Sequence, residues 1–298
     1  MKIALGPLLY YWPRRTVFDF YDAVGRSAAD IVYIGEVVCS RRHELRLSDW
    51  LAIGEALAAA GKEVVVSTQA LLESESDLKT MRRVAANGRF LVEANDMGAV
   101  HRLAGRARFV AGPHLNVYNA ETLGLLAELG ACRWVAPAEM SRALLAEVVA
   151  ARPEGVETEV FAYGRLPLAF SARCFTARRY NLRKDACAFR CIEHPDGLPL
   201  ATREGEPFLV LNGIQTQSAR VHCLIGEFPA LREAGVDVVR VSPQSRDTLE
   251  ILRIFRECAA DPSLAARALQ RVAELAPERL CDGYWRGRPG MEEARAAS

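Results

Sequence analysis

Nine short runs rich in Val, Ile and Phe recur along the chain, at 2–5, 31–34, 63–67, 89–93, 108–111, 133–136, 157–162, 208–211 and 236–241. Each has the length and the β-branched content of a buried parallel strand. Helix-patterned stretches separate most of them, at 47–60, 74–87, 120–129, 139–151 and 223–234. The first opens near Ser48 and Asp49 and stops at Gly61; the others stop at Gly88, at Gly130, before Pro153 and at Gly235, as helix ends do. Two parallel neighbours cannot be joined by a tight turn, so strands that alternate with helices are expected to pair through βαβ crossovers.

Two architectures meet that pattern: an open doubly wound sheet and a closed barrel. A nucleotide-binding open sheet often carries Gly-x-Gly-x-x-Gly after its first strand, and here that turn is missing. The expected fold is therefore an α/β TIM-type (β/α) barrel, one domain over residues 1–285, followed by a polar tail at 286–298. Between 164 and 206 the rhythm breaks. No convincing βα unit falls there, and a long irregular segment inside a compact domain is usually functional. The segment holds three of the eight cysteines and several arginines.

Charge and targeting narrow the function classes. Lys plus Arg number 38 and Asp plus Glu 37, which argues against a protein that coats nucleic acid. The opening apolar stretch is interrupted by Gly6 and Pro7, and Arg14 and Arg15 stand where a signal peptide would place small residues. No run approaches the ~18 apolar residues of a membrane span. A cytoplasmic chain without a membrane span is the expectation, and such a chain keeps its thiols reduced, so the cysteines need a reason other than disulfides.

Four of them share a pattern. Cys174, Cys187 and Cys191 are spaced C-x12-C-x3-C inside the irregular segment, and Cys39 stands just past the second strand. The short spacing lets one loop offer two sulfurs, and Cys39 supplies a fourth from a neighbouring strand end. Thiolates select zinc, copper(I) or iron–sulfur clusters, and by spacing alone zinc and a cluster stand level. Two features favour a cluster. A 4Fe-4S centre with four thiolates carries about −2 when oxidised, and Arg173, Arg178, Arg179, Arg183 and Lys184 around the ligands would offset it. The alternative is that these cations form a solvated face. The x3 spacing is also less typical of zinc ribbons than x2. A radical-type cluster is disfavoured, because His194 stands where its third cysteine would be. Cys132, Cys223 and Cys258 read as packing residues, and the role of Cys281 stays open.

In a parallel barrel the chemistry sits at the carboxyl ends of the strands. Polar residues expected there are Glu36, Asn95, Asp96, His114, Asn116, Tyr163, Arg165, Asn212, Gln215, Ser242 and Gln244. A cysteine peptidase would need a thiolate–histidine pair, and the spacing of His114, His194 and His222 selects none of them.

The motif Glu-x-Phe-x-x-Gly at 159–164, followed by Leu166 and Cys174, resembles the collagenase-like peptidase family. Pro167 and Ala172 stand where that family commonly has cysteine and glycine, which points away from its peptidase-named members. Segments 35–42, 163–178, 210–216, 236–244 and 281–285 are similar to a branch of the family that serves oxygen-independent ubiquinone synthesis. The resemblance implies a 4Fe-4S cofactor on Cys39, Cys174, Cys187 and Cys191, the same four that spacing selects. It implies a heterodimer with a homologous cluster protein and a role in anaerobic hydroxylation of the ubiquinone precursor, reached through a lipid-binding protein, with prephenate as oxygen donor. Arg173, Asn116, Tyr163, Arg165, Asn212 and Gln215 are the residues expected to contact substrate or to back the cluster. The readings kept beside it are a non-catalytic cluster-bearing partner subunit, a peptidase, and an RNA-base hydroxylase, the last disfavoured by the neutral charge.

Overall fold

The computed structural model describes residues 1–293. Its first part alternates as the sequence pattern demands: β1 (Lys2–Leu5), α1 (Arg14–Gly25), β2 (Ile31–Ile34), α2 (Leu47–Ala59), β3 (Glu63–Ser67), α3 (Glu75–Ala85), β4 (Leu91–Ala94), α4 (Met97–Leu103), β5 (Phe109–Ala111), α5 (Ala120–Glu128), β6 (Ala131–Ala136), α6 (Arg142–Ala150) and β7 (Glu157–Phe170). Then follow α7 (Phe175–Arg179), β8 (Leu198–Ala201), β9 (Pro207–Asn212), β10 (Gln215–Cys223), α8 (Phe228–Glu233), β11 (Val238–Val241), α9 (Thr248–Ala260), α10 (Ala265–Leu275) and β12 (Leu280–Cys281).

Strands β1 to β7 pair in parallel in chain order, and β11 lies parallel between β7 and β1. Eight strands thus close a TIM-type barrel, as the alternation of strand and helix predicted. Side chains alternate across it. Ala4, Ile31, Tyr33, Val65, Val110, Val135 and Val238 fill the lumen, while Ile3, Leu5, Val32, Ile34 and Val66 turn outward to the helices. Helix starts follow their caps: at α3 the Ser74 hydroxyl accepts from the Asp77 N–H, and the Asp77 carboxylate accepts from the Ser74 N–H. Among the described residues no helix is long and apolar enough to cross a membrane.

The lumen also carries an ionic layer. Arg240 pairs with Glu159 at 2.6 Å and Glu93 at 2.8 Å, and its guanidinium lies 4.0 Å over the ring of Tyr33. The Tyr33 hydroxyl donates to Glu159. Toward the amino ends, Arg133 pairs with Glu157 at 2.6 Å and Glu63 at 2.8 Å. Each carboxylate of the layer has a cationic partner, the condition under which buried ions are tolerated. This explains two positions of the 159–164 motif. Glu159 is a lumen counter-ion. Gly164 has φ +136°, and a Cβ there would come within 2.5 Å of the Ser242 Cβ.

Three sequence expectations are corrected here. The run 208–211 is not a barrel strand: it lies in β9, which pairs antiparallel with β8 and β10. The reason is that β7 does not end at the barrel rim. It continues to Phe170 and pairs antiparallel with β10, so a hairpin sheet grows out of the barrel wall. The helix expected at 223–234 shortens to α8, because β10 runs to Cys223 and a single 3-10 turn intervenes. The segment 164–206 is accordingly less irregular than expected, with strand at both ends and short turns between. The sequence pattern also passed over α1, α4, α7 and α10. Of the tail, residues 294–298 lie outside the described residues. Its first part packs down: Arg286 pairs with Glu227 at 2.7 Å and with Asp282 at 2.6 Å.

Candidate functional site

The loop after β2 begins with a backbone constraint. Gly35 has φ +111°, and a Cβ there would meet the Ser67 carbonyl oxygen at 2.9 Å. The chain therefore turns tightly against β3 and projects 36–42 over the carboxyl end of the barrel. Glu36 folds back on this loop, and its carboxylate accepts from the N–H groups of Val38 at 2.9 Å and Cys39 at 3.1 Å. Three residues past Cys39, Arg42 is buried and donates to the Leu9 carbonyl at 2.7 Å and to Asn212 Oδ1 at 2.6 Å. Asn212 in turn donates to the Leu9 carbonyl at 2.8 Å and to Gln215 Oε1 at 3.0 Å. Residues from the loop after β1, from the loop after β2 and from the β9–β10 turn are thereby pinned to one another.

Around this pin stand the cysteines. Cys39 and Cys174 pack into one small apolar group with Leu9, Val37, Val38, Ile214 and Phe170. Cys174 caps α7, its sulfur accepting from the Ala177 N–H at 3.4 Å. Cys191 lies in a 3-10 turn, and its thiol and that of Cys39 both feel the Arg42 guanidinium. Burial pushes the Cys39 thiol up to about 11 and raises that of Cys191, with Arg42 opposing the shift in each. Cys187 closes the preceding 3-10 turn, 184–186. All four are half-buried free thiols, whereas Cys223, Cys258 and Cys281 are fully buried.

The segment carrying Cys187 and Cys191 is tied across the barrel mouth. Arg41 donates to the Asp185 carbonyl at 2.6 Å, and Lys184 pairs with Glu73. The Phe189 ring sits edge-on to His43, with centroids 4.5 Å apart. Trp12 Nε1 donates to the Pro195 carbonyl at 2.6 Å, and Asp196 accepts from the Ser245 N–H at 2.7 Å. Positions far apart in the chain thus meet at the carboxyl face of the barrel.

Whether this set suits a cluster is a question of donors and spacing. The donor chemistry suits it: Cys39, Cys174 and Cys191 are free thiols that lie together, Cys39 and Cys191 beside Arg42, while among the described residues no contact draws Cys187 to them; Arg41 Nε and Gln215 Nε2 are both buried and without hydrogen-bond partners. Buried N–H groups with no acceptor are costly unless an anionic group takes them, and hydrogen bonds to sulfur are a recognised lever on cluster potentials. Among the described residues, no three His, Cys, Asp or Glu side chains gather as the ligands of a single metal ion do. A four-iron cube takes one thiolate at each iron, so it needs its sulfurs more widely spaced than a lone zinc does.

The other expected residues divide. Glu36, Asn212 and Gln215 join the cysteine loops. Asn95 stays within the barrel rim, its N–H donating to Thr68 Oγ1 at 2.9 Å. His114 turns edge-on to Phe170 at 4.7 Å, and burial pulls its imidazole down to about 4. Asp96 caps α4, Asn116 is exposed in a left-handed turn, and Ser242 and Gln244 are buried at the end of β11. Tyr163 is fully buried with its hydroxyl unpartnered, and Arg165 donates to the carbonyls of Ser218 and Ala219. Arg173 is exposed, next to Cys174. Sequence reasoning passed over Arg42. The signal was its place three residues after Cys39, as the second of two arginines, Arg41 and Arg42, beside a ligand candidate.

Among solved structures, the chain is similar to the U32 peptidase Mk0906, at 14% identity and a TM-score of 0.45, covering 82% of this chain and 93% of that one. It is also similar to CdNal from Clostridium difficile, at 12% identity and a TM-score of 0.47, covering 92% and 82%. A third is tryptophan synthase from Mycobacterium tuberculosis, at 16% identity and a TM-score of 0.42, covering 92% of each chain. The sequence comparison reaches further: the model of peptidase family U32 matches residues 18–295, from within α1 past the last strand, so the chain belongs to that family.

Proposed function

We propose that this chain is a 4Fe-4S protein of the UbiV type, holding its cluster on Cys39, Cys174, Cys187 and Cys191. In this reading it acts with the homologous cluster protein UbiU in oxygen-independent hydroxylation of the ubiquinone ring, with prephenate as oxygen donor. The observation that supports it is the meeting of Cys39, Cys174 and Cys191 around Arg42, from points more than a hundred residues apart. Bound there, a cluster would supply one-electron chemistry or a site for the oxygen donor. The chain's own contribution is clearer. Arg42 places a buried cation beside the thiolates and stabilises their charge, Glu36 shapes the Cys39 loop through two backbone N–H groups, and Asn212 locks the hairpin against both.

A peptidase reading takes its support from the family name. It gains nothing from the histidines near the site: His43 shares a hydrogen bond of 2.7 Å with the Arg41 carbonyl, His194 one of 2.7 Å with the Tyr180 hydroxyl, His114 faces Phe170 and His222 stacks on Phe161. A cysteine nucleophile is activated by a neighbouring base, and none of these rings is engaged with a thiol.

The test is purification without oxygen, followed by iron and sulfide assay and an absorption spectrum. Four irons and four sulfides per chain are expected. Cells lacking the protein should fail to make ubiquinone without oxygen and make it normally in air, and a homologous cluster protein should copurify. Stoichiometric zinc in place of iron, or normal anaerobic quinone in the deletion strain, would overturn the reading.

A further inference from the structure

The amino end of the barrel, away from Cys39 and the hairpin extension, carries an open cleft of about 580 Å³ between the last turns of α3 and α4. Its floor is apolar, with Ala85 from α3, Leu91 from β4 and Leu103 from α4. Five arginines stand around that floor: Arg82, Arg89, Arg102, Arg106 and Arg108. Among the described residues no Asp or Glu lines the cleft. The concentration of charge is local, because the whole chain carries a formal net charge of only +1.

Two of the five are answered. Arg82 pairs with Glu75 at 2.7 Å and Arg89 pairs with Glu55. Arg102, Arg106 and Arg108 pair with no carboxylate among the described residues. The ordinary use of such residues is to face the carbonyl ends of helices, and Arg82 and Arg102 do lie in last turns. That use does not account for the others. Arg89 lies in the loop before β4, and Arg106 and Arg108 lie in the loop before β5, past the end of α4. Two helix ends bring a charge of about −1 between them, so three unpaired guanidinium groups leave the cleft at roughly +2. A concave wall of one sign draws counter-ions into it. Each guanidinium presents a planar fork that fits a phosphate with two parallel hydrogen bonds. One phosphate cannot occupy three forks fully, whereas two or more phosphates in one compact compound can. The cleft has the size of a small-ligand site. Glu55 and Glu75, held by lining arginines, would repel a long polyanion such as nucleic acid that ran on past its edges.

We propose that this cleft binds a compact compound bearing at least two phosphate groups, held by Arg102, Arg106 and Arg108 over the apolar floor. The inference does not rest on the cluster or on the hydroxylation reading, because the cleft and the cysteine loops lie at opposite ends of the barrel. Pyrophosphate, adenosine 5′-diphosphate and orthophosphate are titrated by calorimetry at low salt against the full chain purified without oxygen. The first two bind saturably, and orthophosphate binds about tenfold more weakly, as loss of one charge-assisted contact predicts. Arg106→Gln and Arg108→Gln, at exposed loop positions where folding is spared, each weaken pyrophosphate by about the same factor. Arg106→Lys keeps the charge but loses the fork, and it also weakens binding. Arg83→Gln removes an exposed arginine of α3 that does not line the cleft, and it leaves binding unchanged. Absence of saturable pyrophosphate binding, or equal weakening by Arg83→Gln, makes the arginines a solvated face and overturns the inference. Sedimentation with phosphatidylglycerol vesicles that needs Arg106 and Arg108, in a chain that does not bind pyrophosphate, overturns it in favour of a membrane-facing surface.

Discussion

The barrel and the hairpin extension at its mouth are held together by different means. The barrel has a continuous core on both faces of its strands and a lumen whose carboxylates each find a cation within it: Glu93 and Glu159 on Arg240, Glu63 and Glu157 on Arg133. The segment from Ser171 to Glu206 instead rests on a small apolar group and on single polar contacts made by Arg41, Lys184, Trp12 and Ser245. Surface contacts of that kind contribute little each, and regions with few buried apolar contacts open first. The barrel is therefore a scaffold complete in itself, and the extension is the part whose order a bound group can change. A ligand that binds the closed form stabilises it by linkage.

The largest expected effect breaks the extension and spares the barrel. Replacing any one of Cys39, Cys174, Cys187 or Cys191 by Ala should remove most of the iron from protein purified without oxygen, while Cys258→Ala, on the buried face of α9, should keep it. The iron-free variants should be cut by trypsin between 171 and 206 into two fragments, one carrying β1 to β7 and one carrying β11, each resistant to further cleavage. Full iron in Cys39→Ala would remove that residue from the ligand set. Equal protection of the segment with and without iron would remove the contrast between the two regions.

The second effect runs the other way. Arg240→Met leaves Glu93 buried without its cation and Glu159 with Arg133 alone at 3.8 Å, and breaking a buried pair in this manner costs about 3–5 kcal/mol. Urea unfolding of the whole barrel should shift by that amount. A midpoint within error of the unmodified protein would show that the lumen ions do not hold the scaffold.

A third measurement concerns the strand that joins the two regions. His222 in β10 is 2% exposed, and burial pulls its imidazole down from 6.5 to about 4. Between those values the unfolded chain binds a proton that the native chain refuses. The stability from this neutral ring is complete above pH 6.5 and is lost as pH falls toward 4, by roughly 2–3 kcal/mol. Urea midpoints at pH 7 and pH 4.5 should differ by less in His222→Phe than in the unmodified chain. An unchanged difference would assign the acid sensitivity to other groups.

The smallest effect sharpens the electrostatics of the extension. Arg173 adjoins Cys174 but is exposed, so water screens it. Arg173→Gln should keep four irons and lower the reduction potential of the centre slightly, because one positive charge near an anionic cluster is lost. Arg271→Gln, far away and paired with Glu257 at 2.6 Å, should change neither. A potential that does not move would mark the arginine run as a solvated face.

The barrel was legible in the sequence, because a parallel strand buried on both faces must be apolar along its length and the crossover between two such strands must be a helix. That local constraint is written in 31–34, 63–67 and 133–136, and the structure keeps each of those runs in strand. The four cysteines stand out as ligand candidates by type and spacing, and their ligation is the proposal made above. What only the tertiary structure decided depends on which residues face one another. A run such as 208–211 has the same composition in a barrel strand and in a hairpin, and only the extension of β7 past Gly164, which offers β10 an antiparallel partner, places it in the latter. Polar residues of the lumen left no pattern either, since Glu93, Glu159 and Arg240 lie far apart in the chain and become neighbours only when the sheet closes. The same closure and the same hairpin bring Arg42 to Asn212, and with it a cation to the thiols of Cys39 and Cys191. Local periodicity records what each segment buries; it holds no record of the partner across the fold that makes a buried charge affordable.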